Sequence, residues 1–200
     1  MNASQSIRVR VAIGVALGVA LTGLLAVGSG ALSETATKTV KIRDDCEATS
    51  FNAAVGPGTC IGNGRTTFAD FIQELAADQD VEAWRFNPPN FDVVPDKMLL
   101  LESVGGETHT FTKVDDFGGG FVPSLNALSG NPVPSPECAV VLAGGRLAPQ
   151  PASATNIFVK AGATEAGPTA GSSILPVGEE SKFQCCIHPW MRTVARVPER

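Results

Sequence analysis

The stretch KFQCCIHPWMRTV, residues 182–194, constrains the fold of this chain more than any other. Alternating side chains predict one strand that ends near Cys185 and a second strand that begins near Arg192, with a loop between them. Pro189 turns the chain in between, so Cys185, His188 and Met191 follow one another at intervals of three residues along a tight loop. Thiolate, imidazole and thioether groups are donors that transition metals favour. The loop is therefore either a metal site or a disulfide beside an ordinary buried methionine.

The first 33 residues have the pattern of an export signal. Arg8 and Arg10 precede an uncharged apolar run over residues 11–33, which ends in small residues. The run is also long enough to cross a bilayer, so an uncleaved membrane anchor is the alternative, and only then would a membrane be a partner. Both interpretations place residues 34–200 outside the cytoplasm, as a periplasmic, secreted or membrane-anchored domain.

The chain has five cysteines, and disulfides persist in exported proteins. Cys46 and Cys60 enclose thirteen residues ending in Gly-Pro-Gly, which we interpret as a disulfide-closed loop. Because five is odd, at least one thiol is free, pairs with another chain, or holds a metal.

Charge limits the partners of the exported part. Residues 34–200 hold all 20 acidic residues and all but two of the 15 basic ones, for a net charge of −7. A nucleic-acid partner is disfavoured because neutralising phosphates requires a basic face. A basic protein partner would suit this field.

Short alternating or apolar segments between glycine and proline turns predict β structure for most of the chain. The predicted strands lie within residues 38–44, 82–86, 97–105, 107–114, 139–145, 156–162, 174–185 and 192–197. We interpret residues 121–138, which are rich in proline and serine, as a long loop. Together with one helix, this pattern predicts a β-sandwich or barrel with a helical insertion.

The single predicted helix begins near Thr67. Phe68, Phe71 and Leu75 recur at helical spacing, and Thr67 followed by Asp70 resembles a capping box. We expect this amphipathic helix to pack on a sheet and assign it no chemistry.

Two histidines limit the chain to one small histidine-containing centre. His109 lies on an alternating segment after a Gly-Gly turn, and His188 lies in the loop described above. With Cys185 and Met191 they would form a trigonal His₂Cys set with a weak axial methionine, which suits copper in electron transfer. The chain also has enough ligands for a Cys₂His₂ zinc site in which Cys186 joins Cys185 and the two histidines. However, the side chains of adjacent strand residues point to opposite faces, and such a site would leave Met191 unexplained.

Residues 181–197, SKFQCCIHPWMRTVARV, resemble the copper-binding end of the cupredoxins (blue copper proteins), most of all the amicyanin and plastocyanin-like branch. The positions in step with that branch are Cys185, His188, Pro189, Trp190, Met191 and Arg192. His109 in GGETHTF matches the upstream histidine of the family.

The resemblance implies an all-β, Greek-key β-sandwich and a mononuclear copper that shuttles one electron. It implies His109, Cys185, His188 and Met191 as the metal ligands, and an exposed edge of His188 as the electron exit and docking surface. Residues 44–80 have no counterpart in the resemblance, so we interpret them as an addition, a disulfide loop plus one short helix, to a domain over residues 34–200.

Two positions depart from the family pattern. Thr110 stands where the family commonly has asparagine, and Cys186 follows Cys185 where the family has a single cysteine. Cys186 points to the opposite face from Cys185, and Cys138 is the remaining candidate to pair with it, which would leave one thiol for copper.

The expected function is therefore exported one-electron transfer by a single copper ion, with a redox partner protein that is basic, and without catalysis. An exported copper-delivery protein is one alternative. A disulfide-stabilised interaction module without metal is the other.

Overall fold

The computed structural model describes residues 37–199, so the predicted export segment over residues 1–33 lies outside it. Within the described range there are eleven strands and three α-helices. They are β1 (Thr37–Arg43), α1 (Ala48–Ala54), α2 (Phe68–Asp78), β2 (Arg85–Asn87), β3 (Asn90–Asp92), β4 (Met98–Ser103), β5 (His109–Val114), α3 (Pro123–Leu128), β6 (Ala139–Val141), β7 (Leu147–Pro149), β8 (Asn156–Val159), β9 (Thr164–Thr169), β10 (Glu180–Gln184) and β11 (Arg192–Arg196). Among the described residues no helix has the length and apolar character needed to span a membrane.

Two sheets form an all-β sandwich, which confirms the predicted fold class. One sheet has the strand order β2-β1-β4-β9, the other has the order β3-β11-β10-β5-β8, and β6 and β7 form a separate pair. Neighbouring strands run antiparallel except for β1 with β4 and β3 with β11, which are parallel.

Buried and half-exposed side chains alternate along the strands, which places the core between the sheets. In β4, Leu99 and Leu101 are buried while their neighbours are half-exposed. Phe111 of β5 stacks on Phe183 of β10 with 4.4 Å between ring centroids, and its ring lies 5.3 Å from that of Phe86 in the other sheet. Aromatic contacts across the sandwich therefore join its two layers.

The prediction of a single inserted helix is wrong, because the described residues contain three. Helix α1 lies inside the segment interpreted as a disulfide-closed loop, and α3 lies inside the segment interpreted as a long loop. Each has only six or seven residues, too few for a helical period to stand out in the sequence. Their ends carry the sequence signals instead: the Glu47 carboxylate accepts hydrogen bonds from two backbone N–H groups of α1, and α3 begins at Pro123.

Helix α2 has the predicted extent and cap. The Thr67 hydroxyl accepts a hydrogen bond from the Asp70 N–H at 3.2 Å, and Phe71 and Leu75 are buried. These two residues lie one turn apart on one face, which turns the apolar side of α2 toward the core.

Aromatic rings attach the two added helices to the sandwich. Phe51 of α1 lies 5.5 Å from Phe71 of α2 and stacks on Trp84 at 5.8 Å. Phe71 also lies 6.3 Å from the ring of His188. The added segment therefore packs directly against the loop that carries the candidate metal ligands.

Two disulfides join Cys46 to Cys60 and Cys138 to Cys186, and they fit an oxidising compartment. The first holds the added segment close to the start of β5. There the Ile61 N–H donates to the Gly106 carbonyl at 2.9 Å, and a Cβ on Gly106 would lie 2.7 Å from the Cys46 sulfur. A side chain at position 106 would push the added segment away from the sheet.

Replacing both Cys46 and Cys60 by alanine should lower the free energy of unfolding by about 3 kcal/mol, because the unfolded chain regains the entropy that the closed loop removes. Chemical denaturation measures this difference. Ile61→Ala is the control, since Ile61 lies just outside the disulfide loop and is 70% exposed; it should change the free energy by less than about 0.5 kcal/mol. Equal stability of the double variant and the parent would contradict the role assigned to this disulfide.

Candidate metal centre

Neighbouring strands bring two distant segments of the chain to one point. His109 is the first residue of β5, Cys185 directly follows β10, and these two strands pair side by side. His188 lies three residues further, in the loop that leads to β11. All three side chains are buried.

The donor atoms of these residues form a compact triangle. The Cys185 Sγ lies 3.8 Å from His109 Nδ1 and 3.9 Å from His188 Nδ1, and all three atoms lie within 4.8 Å of one another. Metal–nitrogen and metal–sulfur bonds of roughly 2.0 and 2.3 Å, set at roughly 120°, would separate sulfur from nitrogen by about 3.7 Å. The residues therefore fit one transition-metal ion in trigonal coordination.

Carboxylates orient both imidazole rings. His109 Nε2 lies 2.8 Å from an oxygen of Asp44, and His188 Nε2 lies 3.5 Å from an oxygen of Glu107. Each carboxylate favours a proton on Nε2, so Nδ1 is the nitrogen left to bind a metal beside Cys185. This carboxylate–histidine–metal arrangement fixes the tautomer and orientation that metal binding needs.

The Asp44 carboxylate is itself held in place. Besides His109, it accepts hydrogen bonds from the backbone N–H groups of Gly106 and Glu107 at 2.8 and 3.2 Å. Burial would raise the pKa of Asp44, but the hydrogen bond and charge of His109 and these backbone donors lower it. Asp44 is therefore ionised in the folded protein at neutral pH.

The electrostatics of the triangle favour a thiolate. Burial would raise the pKa of the Cys185 thiol, but hydrogen bonds with His109 and His188 hold that pKa well below its usual value. Burial would lower the pKa of His109, but the partners Asp44 and Cys185 raise it to about 10. A thiolate is the form of cysteine that binds metal ions.

Thr110 supports the loop at the position where the family commonly has asparagine. Its backbone N–H donates to the Cys185 sulfur at 3.4 Å, and its hydroxyl accepts from the Cys186 N–H at 2.7 Å. The hydroxyl also accepts from Thr112 at 3.0 Å. A single threonine therefore connects β5 to the thiolate and to the residue that follows it.

Backbone hydrogen bonds close the loop around Met191. The Cys185 N–H donates to the Met191 carbonyl at 3.0 Å, and the Met191 N–H donates to the His188 carbonyl at 2.9 Å. The Met191 side chain is buried in the same apolar cluster as Cys185. Coordination by its thioether stays a prediction.

Cys186 faces away from the triangle, as the alternation predicts. It forms a disulfide with Cys138 and packs in a second cluster with Val114. Cys185 is thus the one free cysteine among residues 37–199, a range that includes all five. A Cys₂His₂ zinc site is excluded because the second sulfur is already bonded.

The predicted exposed edge of His188 is wrong. The residue is only 3% exposed, and its Nε2 faces Glu107 instead of solvent. Phe71 of α2 and Trp190 cover its ring, with centroid distances of 6.3 and 5.4 Å. The expectation came from a resemblance that does not include residues 44–80, and Phe71, one of these residues, covers part of the ring.

Sequence reasoning missed Asp44 and Glu107. Glu107 lies two residues before His109 on an alternating segment, so a shared face was a usable signal. Asp44 lies 65 residues from His109, and no spacing in the sequence connects the two.

Of the comparisons with known proteins, only the one with solved structures found matches. No protein-family model and no curated protein matches the sequence. Solved structures that resemble this chain include a purple cupredoxin, an amicyanin and a plastocyanin. A purple cupredoxin from Nitrosopumilus maritimus is 11% identical, with 80% of this chain and 97% of that chain covered and a TM-score of 0.36.

Two other solved structures are similar to the same degree. A point mutant of amicyanin in its reduced Cu(I) form is 14% identical, with 57% of this chain and 73% of that chain covered and a TM-score of 0.31. Plastocyanin from Dryopteris crassirhizoma is 12% identical, with 80% of this chain and 99% of that chain covered and a TM-score of 0.30. TM-scores this low carry no weight for the site, whose description depends on its own geometry.

Asp44→Asn should weaken the binding of Cu(I) by roughly 10- to 100-fold, because it removes the charged acceptor that orients His109. Competition with a Cu(I) chelator of known affinity measures the change. Asp45→Asn is the matched control, since the Asp45 carboxylate accepts from the Thr66 hydroxyl and makes no contact with His109. Equal affinities of the two variants would contradict a positioning role for Asp44.

Proposed function

We propose that this protein is a mononuclear copper protein that transfers single electrons by cycling between Cu(I) and Cu(II). The observation that carries the proposal is the buried triangle of one thiolate and two Nδ1 atoms. His109, Cys185 and His188 would hold the ion, and Met191 would add a weak fourth bond. When bound, the copper supplies the one-electron couple.

The donor set favours copper over zinc. Structural zinc sites use four strong ligands, and catalytic zinc sites keep a position open for water. Here three strong donors are accompanied by a buried methionine, and the surroundings of Cys185 are apolar. Thiolate, imidazole and thioether together suit both oxidation states of copper.

Rigid support favours electron transfer. Asp44 and Glu107 hold the imidazole rings, and Thr110 holds the thiolate loop. The ligands therefore need to rearrange little when the charge of the ion changes. Burial of all three ligands supports a metal that is retained during reaction, which disfavours the copper-delivery alternative.

We also propose a carrier and not an enzyme. The two histidines of the chain are both used by the proposed site, which leaves none for a second, substrate-binding metal centre. A net charge of −5 over the whole chain suits a basic redox partner protein and does not suit nucleic acid. Such a partner would lie outside the cytoplasm, where the predicted export segment directs the chain.

Since α2 covers His188, electrons need another route to the partner. The ring of Trp190 lies 5.4 Å from that of His188 and is partly exposed, so it offers such a route. This assignment is part of the proposal and replaces the exposed histidine edge.

Cys185→Ser and His188→Ala should each keep the fold but lose the intense visible absorption that a copper–thiolate bond gives, because each removes one of the three strong ligands. Met191→Leu is the comparison variant: it should keep the colour and raise the reduction potential, because it removes only the weak axial donor. Absorption spectra and voltammetry after the addition of one equivalent of Cu(II) measure both effects. Undiminished colour in Cys185→Ser would contradict the proposed ligand set.

A further inference from the structure

A cavity of about 220 Å³ lies between the three helices and the metal-binding loop. Apolar side chains form most of its wall, among them Phe51, Phe71, Leu125 and Ile187. Glu107 and His188 complete the lining. The cavity is thus separate from the donor triangle and lies beside one of its members.

Glu107 is the only carboxylate in this lining among residues 37–199. It is 6% exposed, and one of its oxygens accepts from Trp84 Nε1 at 2.7 Å and lies 3.5 Å from His188 Nε2. Its other oxygen, Oε1, has no hydrogen-bond partner within the described residues. The residue is buried but Oε1 itself keeps some accessible surface, so it can accept a hydrogen bond from a molecule that enters the cavity.

The size and apolar wall of the cavity fit one aromatic ring. An engineered apolar cavity of about 150 Å³ stays dry and binds benzene. A volume of about 220 Å³ accommodates the same ring with a substituent. The exposed residues Val55 and Ser124 lie at the rim, so the cavity can be reached from the surface.

We propose that this cavity binds a small neutral phenol, with the ring packed among the apolar side chains and the hydroxyl donating to the Glu107 carboxylate. No copper chemistry is needed for this binding, so the proposal does not depend on the proposed function. A bound ring would lie against the face of the molecule that carries His188. Small aromatic molecules would therefore bind beside the metal centre without occupying a coordination position of the metal.

Titration of the purified full chain with phenol tests the proposal, with toluene as a probe of nearly the same shape that lacks the hydroxyl. Calorimetry should give saturable binding of one phenol per chain and tighter binding of phenol than of toluene. The chain has two tryptophans, and only Trp84 bonds Glu107. The indole N–H resonance of Trp84 should therefore move more than that of Trp190 in nuclear magnetic resonance spectra.

Two variants separate the hydrogen bond from the cavity. Glu107→Gln should reduce the preference for phenol over toluene by about tenfold, because it removes the charged acceptor. Ser124→Trp should block the binding of both probes at the rim. Ala127→Trp is its matched control, since Ala127 is also exposed on α3 but does not line the cavity, and it should bind both probes as the parent does.

Three results would overturn the proposal. The first is the absence of saturable phenol binding to the parent chain. The second is a preference for phenol that survives Glu107→Gln unchanged. The third is equal binding by the Ser124→Trp and Ala127→Trp variants, which would place the phenol elsewhere on the molecule.

Discussion

The hydrogen bond between Asp44 and His109 is the interaction on which the metal centre depends. At 2.8 Å, between two fully buried side chains, it fixes the ring of His109 and directs Nδ1 at the Cys185 sulfur. Two backbone N–H groups hold the same carboxylate, so the position of the ring is set by the main chain around β5. A buried ionised carboxylate is stable only when it has such hydrogen-bond partners. Here one of these partners, His109, is also a candidate metal ligand.

This interaction also ties the added segment to the sandwich. Asp44 lies at the start of residues 44–80, directly before the Cys46–Cys60 disulfide. The disulfide holds the loop against Gly106, and the aromatic contacts of Phe51 and Phe71 bring α1 and α2 over the far side of His188. Residues 44–80 therefore contribute at both imidazoles: Asp44 supplies the carboxylate for one, and Phe71 covers part of the other. The ring of His188 is shielded from solvent, and a cavity is formed beside it.

The sequence predicted those features that depend on short spacing. Strand alternation located β5 and β10, and the intervals between Cys185, His188 and Met191 located the loop. Alternation also assigned Cys185 and Cys186 to opposite faces, and the structure pairs the latter with Cys138. Helix α2 was predictable because eleven residues carry a full amphipathic period.

Other features depend on contacts between distant residues or on elements that are too short. The pairing of Asp44 with His109 spans 65 residues and has no local pattern. Helices α1 and α3 are no more than two turns long, so caps and packing define them and a helical period does not. The burial of His188 depends in part on Phe71 of α2, a contact that the loop alone could not reveal. Thr110 stands where the family commonly has asparagine, and its hydroxyl and backbone N–H hold the thiolate loop.

X-ray absorption spectroscopy of the full chain loaded with one equivalent of copper tests the central claim most directly. Copper bound as proposed should have a first coordination shell with one sulfur at a short thiolate distance and two imidazole nitrogens. A first shell of nitrogen and oxygen alone, with no short sulfur, would contradict it.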